Sequence, residues 1–85
     1  MTQSLADQIR EYARLRYIQP ARTRGDAQVT VRAGDVHRDM GLQSRMPAVC
    51  GALGSMKFTD ECQVEIADRQ GPQQGANVYF VYRLK

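Results

Sequence analysis

Residues 36–50 read VHRDMGLQSRMPAVC, and this stretch decides how we expect the chain to fold. Val36 and Met40 are apolar residues one helical turn apart, and an aspartate just before them can cap a helix. Gly41 ends that helix, because glycine adopts the left-handed conformation that follows a helix at little cost. The first part of the stretch therefore predicts a short helix over residues 35–40 and a tight turn after it.

A further helix is predicted over residues 44–55. Ser44 can cap its start, and Pro47 is favourable in a first helical turn. Gly51 in a helix interior costs ~1 kcal/mol relative to alanine, which favours a helix whose backbone lies close to another molecule. The narrow apolar face of this helix consists of Met46, Val49, Cys50 and Leu53.

The residues before this stretch predict one helix and one strand. Ser4 can cap a helix, and apolar residues then recur at helical spacing over residues 5–18. Pro20 is expected to end or kink that helix. Residues 28–32 form a short β-branched run, which predicts a strand.

The residues after the stretch predict a β-hairpin. Apolar and polar residues alternate over 62–67 and again over 77–84, which is typical of half-buried strands. The polar segment 68–77 between them is rich in glycine and glutamine and predicts a long loop. The expected fold class is therefore α+β, in the order α-β-α-α-β-β, with three helices, a small antiparallel sheet and a C-terminal hairpin.

Length and charge limit the classes of function. The chain has 85 residues, which predicts a single domain over residues 1–85. Of its 12 basic residues ten are arginine, whose planar guanidinium suits phosphates and guanine edges. Nine basic and five acidic residues lie in residues 1–58, which favours a polyanionic partner. A solvated basic surface explains a net charge of +3 equally well, so charge alone decides nothing.

The chain also lacks the parts of most active sites. Cys50 and Cys62 have no metal-binding spacing, and His37 adds one further ligand where a zinc site needs about four. We expect both cysteines to be reduced and buried, and His37 to lie at the surface or its boundary. We therefore expect no enzyme activity, no metal or cofactor and no small-molecule substrate. Without an apolar segment of ~20 residues or a signal peptide, we expect a cytoplasmic protein with no membrane partner.

The order of the predicted elements resembles the winged helix-turn-helix fold over nearly the whole chain, residues 5–84. Its most specific part is residues 36–42 leading into residues 45–50, which are similar to the turn and recognition helix of that fold. Residues 31–38 with the following Met-Pro-Ala-Val-Cys also resemble small, uncharacterised winged-helix modules. Some of these modules stand alone, and others accompany restriction-type nucleases. Pro47 departs from the pattern, which predicts a longer turn or a later helix start.

The resemblance implies a non-catalytic module that binds duplex DNA. Its third helix would enter the major groove, and the hairpin loop would be a wing on the backbone or minor groove. A module this small would act as a homodimer or within a larger assembly. The residues implied at the recognition helix are Gln43, Ser44, Arg45 and Ala48. The implied phosphate contacts are Arg32 and Arg38, and the implied wing contacts are Arg69, Gln70 and Gln73.

A second interpretation stays open. Winged-helix domains also serve as dimerisation or protein-docking modules. The modest net charge and the weakly basic wing favour that alternative, in which the small-residue face of the third helix would meet a protein partner.

Overall fold

The computed structural model describes residues 3–71 and 75–85. Within these residues the chain forms a small α+β fold in the order α1-β1-α2-α3-α4-β2-β3. None of the described helices has the length and apolarity that crossing a bilayer requires. The helices are α1 (residues 5–24), α2 (Ala33–Asp39), α3 (Met46–Leu53) and α4 (Met56–Cys62), and the strands are β1 (Gln28–Arg32), β2 (Val64–Gln70) and β3 (Tyr79–Leu84).

The first helix is longer than the sequence predicts. The Ser4 hydroxyl accepts the Asp7 N–H, as expected of a cap. The expected end at residue 18 is wrong, because α1 continues through Pro20 to its left-handed cap at Gly25. It does so through a wider π-helical turn, Arg14–Ile18, placed between the α-helical segments Leu5–Ala13 and Gln19–Arg24. A π turn just before a proline accommodates the ring and the missing N–H without breaking the helix.

The second helix begins two residues earlier than predicted, at Ala33. Its first amides are satisfied by backbone rather than by the expected Asp35 side chain. The Ala33 N–H donates to the Val78 carbonyl at 2.9 Å, and the Gly34 N–H donates to the Ala76 carbonyl at 3.1 Å. The start of α2 is thus attached to the segment that leads into β3.

The expected turn glycine is confirmed at Gly41, which has a φ of 67°. The Gly41 N–H donates to the Arg38 carbonyl and the Leu42 N–H to the His37 carbonyl. This pair of bonds is a Schellman motif, in which a left-handed residue closes the helix by satisfying its last carbonyls.

The helix predicted over 44–55 is shorter, Met46–Leu53, and a separate helix follows it at Met56–Cys62. Ser44 has a φ of +54°, so it cannot supply the extended cap that was expected, and α3 begins at Met46. The later start agrees with the longer turn indicated by Pro47. The Ser55 hydroxyl accepts the Phe58 N–H at 3.2 Å and begins α4, which the sequence analysis missed.

The three strands form one antiparallel sheet in the order β1-β3-β2. The predicted α+β class with an antiparallel sheet is confirmed, and the strand over 28–32 has the expected bounds. The strand predicted over 62–67 lies at Val64–Gln70 instead, because α4 continues to Cys62 and ends at a left-handed Gln63 with φ 55°. The strand predicted over 77–84 begins at Tyr79.

One face of the sheet packs on the helices and forms the core. Phe58 of α4 meets Tyr82 of β3 edge to face, with ring centroids 5.3 Å apart. The Tyr82 hydroxyl donates to the Leu53 carbonyl at 2.6 Å, and burial raises the pKa of Tyr82 above its ordinary value. Cys50 and Cys62 are both buried free thiols, as predicted.

Candidate nucleic-acid interface

The turn before α3 is held by a side chain that the sequence analysis left at the boundary of the fold. His37 lies in the second half of α2, and its Nε2 accepts the backbone N–H of Arg45 at 3.2 Å. Arg45 is the cap residue of α3 and has no side-chain capping bond. His37 therefore satisfies the N–H of the cap residue of α3 from the preceding helix. A histidine that precedes a helix start by eight residues across a Gly turn is the only sequence signal for it.

The outward side of α3 is nearly bare backbone. Its inward side is filled by Val49, Cys50, Ala52 and Leu53, which are all buried. Pro47 and Gly51 are exposed, and a Cβ built on Gly51 would meet nothing within 4 Å. The helix, MPAVCGAL, contains no acidic residue. Another molecule could therefore approach its backbone closely without steric or electrostatic repulsion from α3 itself.

The residues predicted at the start of the recognition helix lie together. Gln43, Ser44 and Arg45 are consecutive and exposed, and Ala48 follows one turn into α3 and is half-buried. The Arg45 guanidinium makes no ion pair or hydrogen bond with any residue in the described ranges. A cation without an internal partner is available to an external anion at no cost in broken contacts.

The two predicted phosphate contacts, at the start and in the last turn of α2, both pair with residues of the chain itself. Arg32 donates from Nη1 to the Asp35 carboxylate at 2.9 Å and from Nη2 to the Asn77 amide oxygen at 2.8 Å. Arg38 is 72% exposed and pairs with Asp35 at 3.5 Å and with Asp39 at 3.4 Å. Arg32 thus connects α2 to the segment before β3, and Arg38 carries a charge that its neighbours partly neutralise.

The predicted wing contacts do not share one loop. Arg69 and Gln70 lie in β2, so the loop expected over 68–77 begins three residues too early. Gln73 lies outside the described residues. The strand continues because its last residues pair with β3 beyond a bulge between Ile66 and Asp68. The Arg69 guanidinium lies over the Phe80 ring, 5.4 Å from its centroid.

Two further polar contacts fix the helices around the candidate interface. The Tyr12 hydroxyl donates to Asp39 at 3.0 Å, and burial, with Asp39 beside it, raises the pKa of Tyr12. Arg22 donates through both Nη atoms to the carbonyls of Cys62 and Gln63, at 2.9 and 3.0 Å. Arg22 thereby satisfies the last carbonyls of α4, a structural role that sequence alone did not indicate.

Comparison with known proteins adds no relative to this description. The chain matches no protein-family model, no curated protein and no solved structure at a significant level.

Proposed function

We propose that this chain is a winged helix-turn-helix module that binds duplex DNA without catalysing a reaction. The element order and the antiparallel sheet β1-β3-β2 support the winged-helix assignment. In such a module α3 would be the recognition helix, and the turn between β2 and β3 would be the wing. The extra helix α4 is an addition to the expected order.

A single observation carries the proposal. Arg45 lies at the start of α3, and its guanidinium has no partner in the described part of the chain. The exposed side of α3 beside it carries no acidic residue and no large side chain. N-terminal residues of a recognition helix are the ones that reach base edges. Arg45 would donate two hydrogen bonds to a guanine edge, and Gln43 would pair with an adenine edge. The half-buried Ala48 and the bare Gly51 would allow the helix backbone to come close.

The phosphate contacts would be few. Arg38 is the exposed cation next to the turn, and phosphate would compete for it with the carboxylates of Asp35 and Asp39. Arg32 would stay on Asp35 and Asn77, and its contribution would be to hold the wing against α2. Useful specificity from so small a footprint would require a homodimer or a larger assembly.

The test is a fluorescence-anisotropy titration with mixed-sequence duplex DNA at two salt concentrations, comparing Arg45→Ala with Lys85→Ala. Both variants remove one positive charge, but Lys85 lies beside Thr59 and Gln63, on another part of the surface. Arg45→Ala should weaken binding about tenfold, since one good bidentate base contact contributes ~1–3 kcal/mol. Lys85→Ala should change affinity less than about twofold, and affinity should fall with salt.

Equal losses of DNA affinity in the two variants would mean that binding depends on the net charge of the protein and not on a contact made by α3. Absence of binding at micromolar protein in low salt, or binding that is indifferent to salt, would contradict the proposal as a whole.

Exposed apolar side chains favour a second candidate, a protein-docking or dimerisation module. Met56 at the start of α4 is 78% exposed, and Leu15 in the π turn of α1 is 50% exposed. Burying these two side chains against a partner would remove apolar surface from water. Gel filtration distinguishes the candidates, because this one predicts a stable dimer or hetero-complex without any affinity for DNA.

A further inference from the structure

The contact between His37 and Arg45 depends on the protonation state of the imidazole. His37 is the only histidine in the sequence. Its Nε2 accepts the Arg45 N–H at 3.2 Å, and an imidazole nitrogen accepts a hydrogen bond only when it carries no proton. The observed geometry is therefore that of the neutral ring.

The turn that this contact holds is unfavourable by itself. Ser44 has a φ of +54°, a left-handed conformation that is disfavoured for a residue with a Cβ. Arg45 follows directly and caps α3 without a side-chain bond. The His37 imidazole is thus the side chain that binds the Arg45 backbone at the start of α3.

Protonation of His37 would put two donors against each other. The new N–H at Nε2 would face the Arg45 backbone N–H. Histidine is the side chain that ordinarily gains this proton between pH 8 and pH 5. Protonation would therefore remove the hydrogen bond that holds the turn.

The other charged groups near His37 are already engaged. On its own helix, Arg38 and Asp39 are paired with each other. The first helix reaches this end of α2 through Tyr12, whose hydroxyl is bound to Asp39. The Arg45 guanidinium has no partner in the part of the chain that the structure describes.

We propose that His37 is a positioning residue for Arg45 and acts only as the neutral imidazole, so that acidification weakens DNA binding. This inference rests on the proposed function and adds a regulatory property to the same site. Its sign is distinctive, because an added positive charge alone would strengthen binding to phosphates. Loss of the Arg45 position outweighs that gain, since Arg45 supplies the directed base contact.

The experiment measures anisotropy with the same duplex between about pH 7.5 and about pH 5.5 at constant ionic strength, for the unaltered chain and for His37→Gln. A glutamine amide oxygen can accept the Arg45 N–H and does not titrate. All other titratable groups are the same in the two proteins. The unaltered chain should lose about three- to tenfold in affinity on acidification, the effect expected for one lost hydrogen bond. The DNA affinity of His37→Gln should change less than about twofold over the same pH range.

A second readout requires no DNA. In ¹⁵N–¹H spectra the Arg45 amide should shift with the same midpoint as the His37 ring, and this shift should be absent from His37→Gln. An Arg45 amide that does not respond to His37 titration would overturn the inference. So would an affinity that stays level or rises on acidification, or one that falls equally in both proteins. If the unaltered chain binds no DNA at either pH, the proposed function fails, and the Arg45 amide still decides whether the contact exists.

Discussion

Replacing Gly34 with alanine sets two effects of opposite sign against each other. In a helix, alanine is favoured over glycine by ~1 kcal/mol, so α2 considered alone would become more stable. The tertiary structure predicts the reverse, because a Cβ on Gly34 would lie 2.6 Å from the Ala76 carbonyl oxygen and 3.0 Å from the Ala76 Cβ. The neighbour is backbone and cannot rotate away, so the segment before β3 would have to move.

The cost follows from the bonds that this movement strains. The Gly34 N–H to Ala76 bond of 3.1 Å and the Ala33 N–H to Val78 bond of 2.9 Å both join α2 to that segment. Each contributes ~1 kcal/mol, and overpacking of a close contact costs ~1–3 kcal/mol. After subtracting the helical gain, we expect a net loss of about 1–2 kcal/mol, or roughly 4–16 °C in Tm for a domain of this size.

Gly51→Ala is the matched control, since the added Cβ meets nothing within 4 Å on the exposed side of α3. It should raise stability by up to ~1 kcal/mol. The stability of both variants is measured by urea and thermal unfolding, with circular dichroism as the signal. A Gly34→Ala protein as stable as Gly51→Ala, or more stable than the unaltered chain, would refute the close approach between α2 and Ala76.

Three further predictions concern the core. Tyr82→Phe removes the hydrogen bond to the Leu53 carbonyl and should cost ~1 kcal/mol in thermal unfolding; an unchanged Tm would contradict that bond. Because burial raises the pKa of Tyr82, the free energy of unfolding should stay constant up to about pH 10, the ordinary tyrosine pKa, and fall as the pH rises further. The fall should be less steep in Tyr82→Phe, where only Tyr12 and Tyr17, whose pKa values are also raised, still contribute to it. Cys50 and Cys62 should both resist alkylation by iodoacetamide at about pH 8 until urea unfolds the chain, because both thiols are buried and burial raises the pKa of Cys62. Mass spectrometry counts the added groups, and rapid labelling of the folded protein would disprove the prediction.

Much of the secondary structure follows from short-range chemistry, and the errors have specific causes. The strand at Gln28–Arg32 and the glycine turn at Gly41 were predicted because β-branched runs and left-handed glycines act locally. The helix Met56–Cys62 was missed because Cys62 also fits the alternation of the next strand, although Ser55 is a recognisable cap. The continuation of α1 through Pro20 could not be predicted, because the π turn that accommodates it has no pattern of its own.

The candidate interface divides in the same way. The sequence by itself determined the α+β class, the burial of Val49, Cys50 and Leu53 on α3 and the run from Gln43 to Arg45, since these depend on apolar spacing and on neighbouring residues. Only the tertiary structure decided that His37 binds the Arg45 N–H, that Asn77 binds Arg32, and that Gly34 lies against Ala76. The physical reason is that these contacts join residues 8 to 45 positions apart or require close approach of two backbones, and a hydrogen bond of about 3 Å between distant residues leaves no periodicity in the sequence.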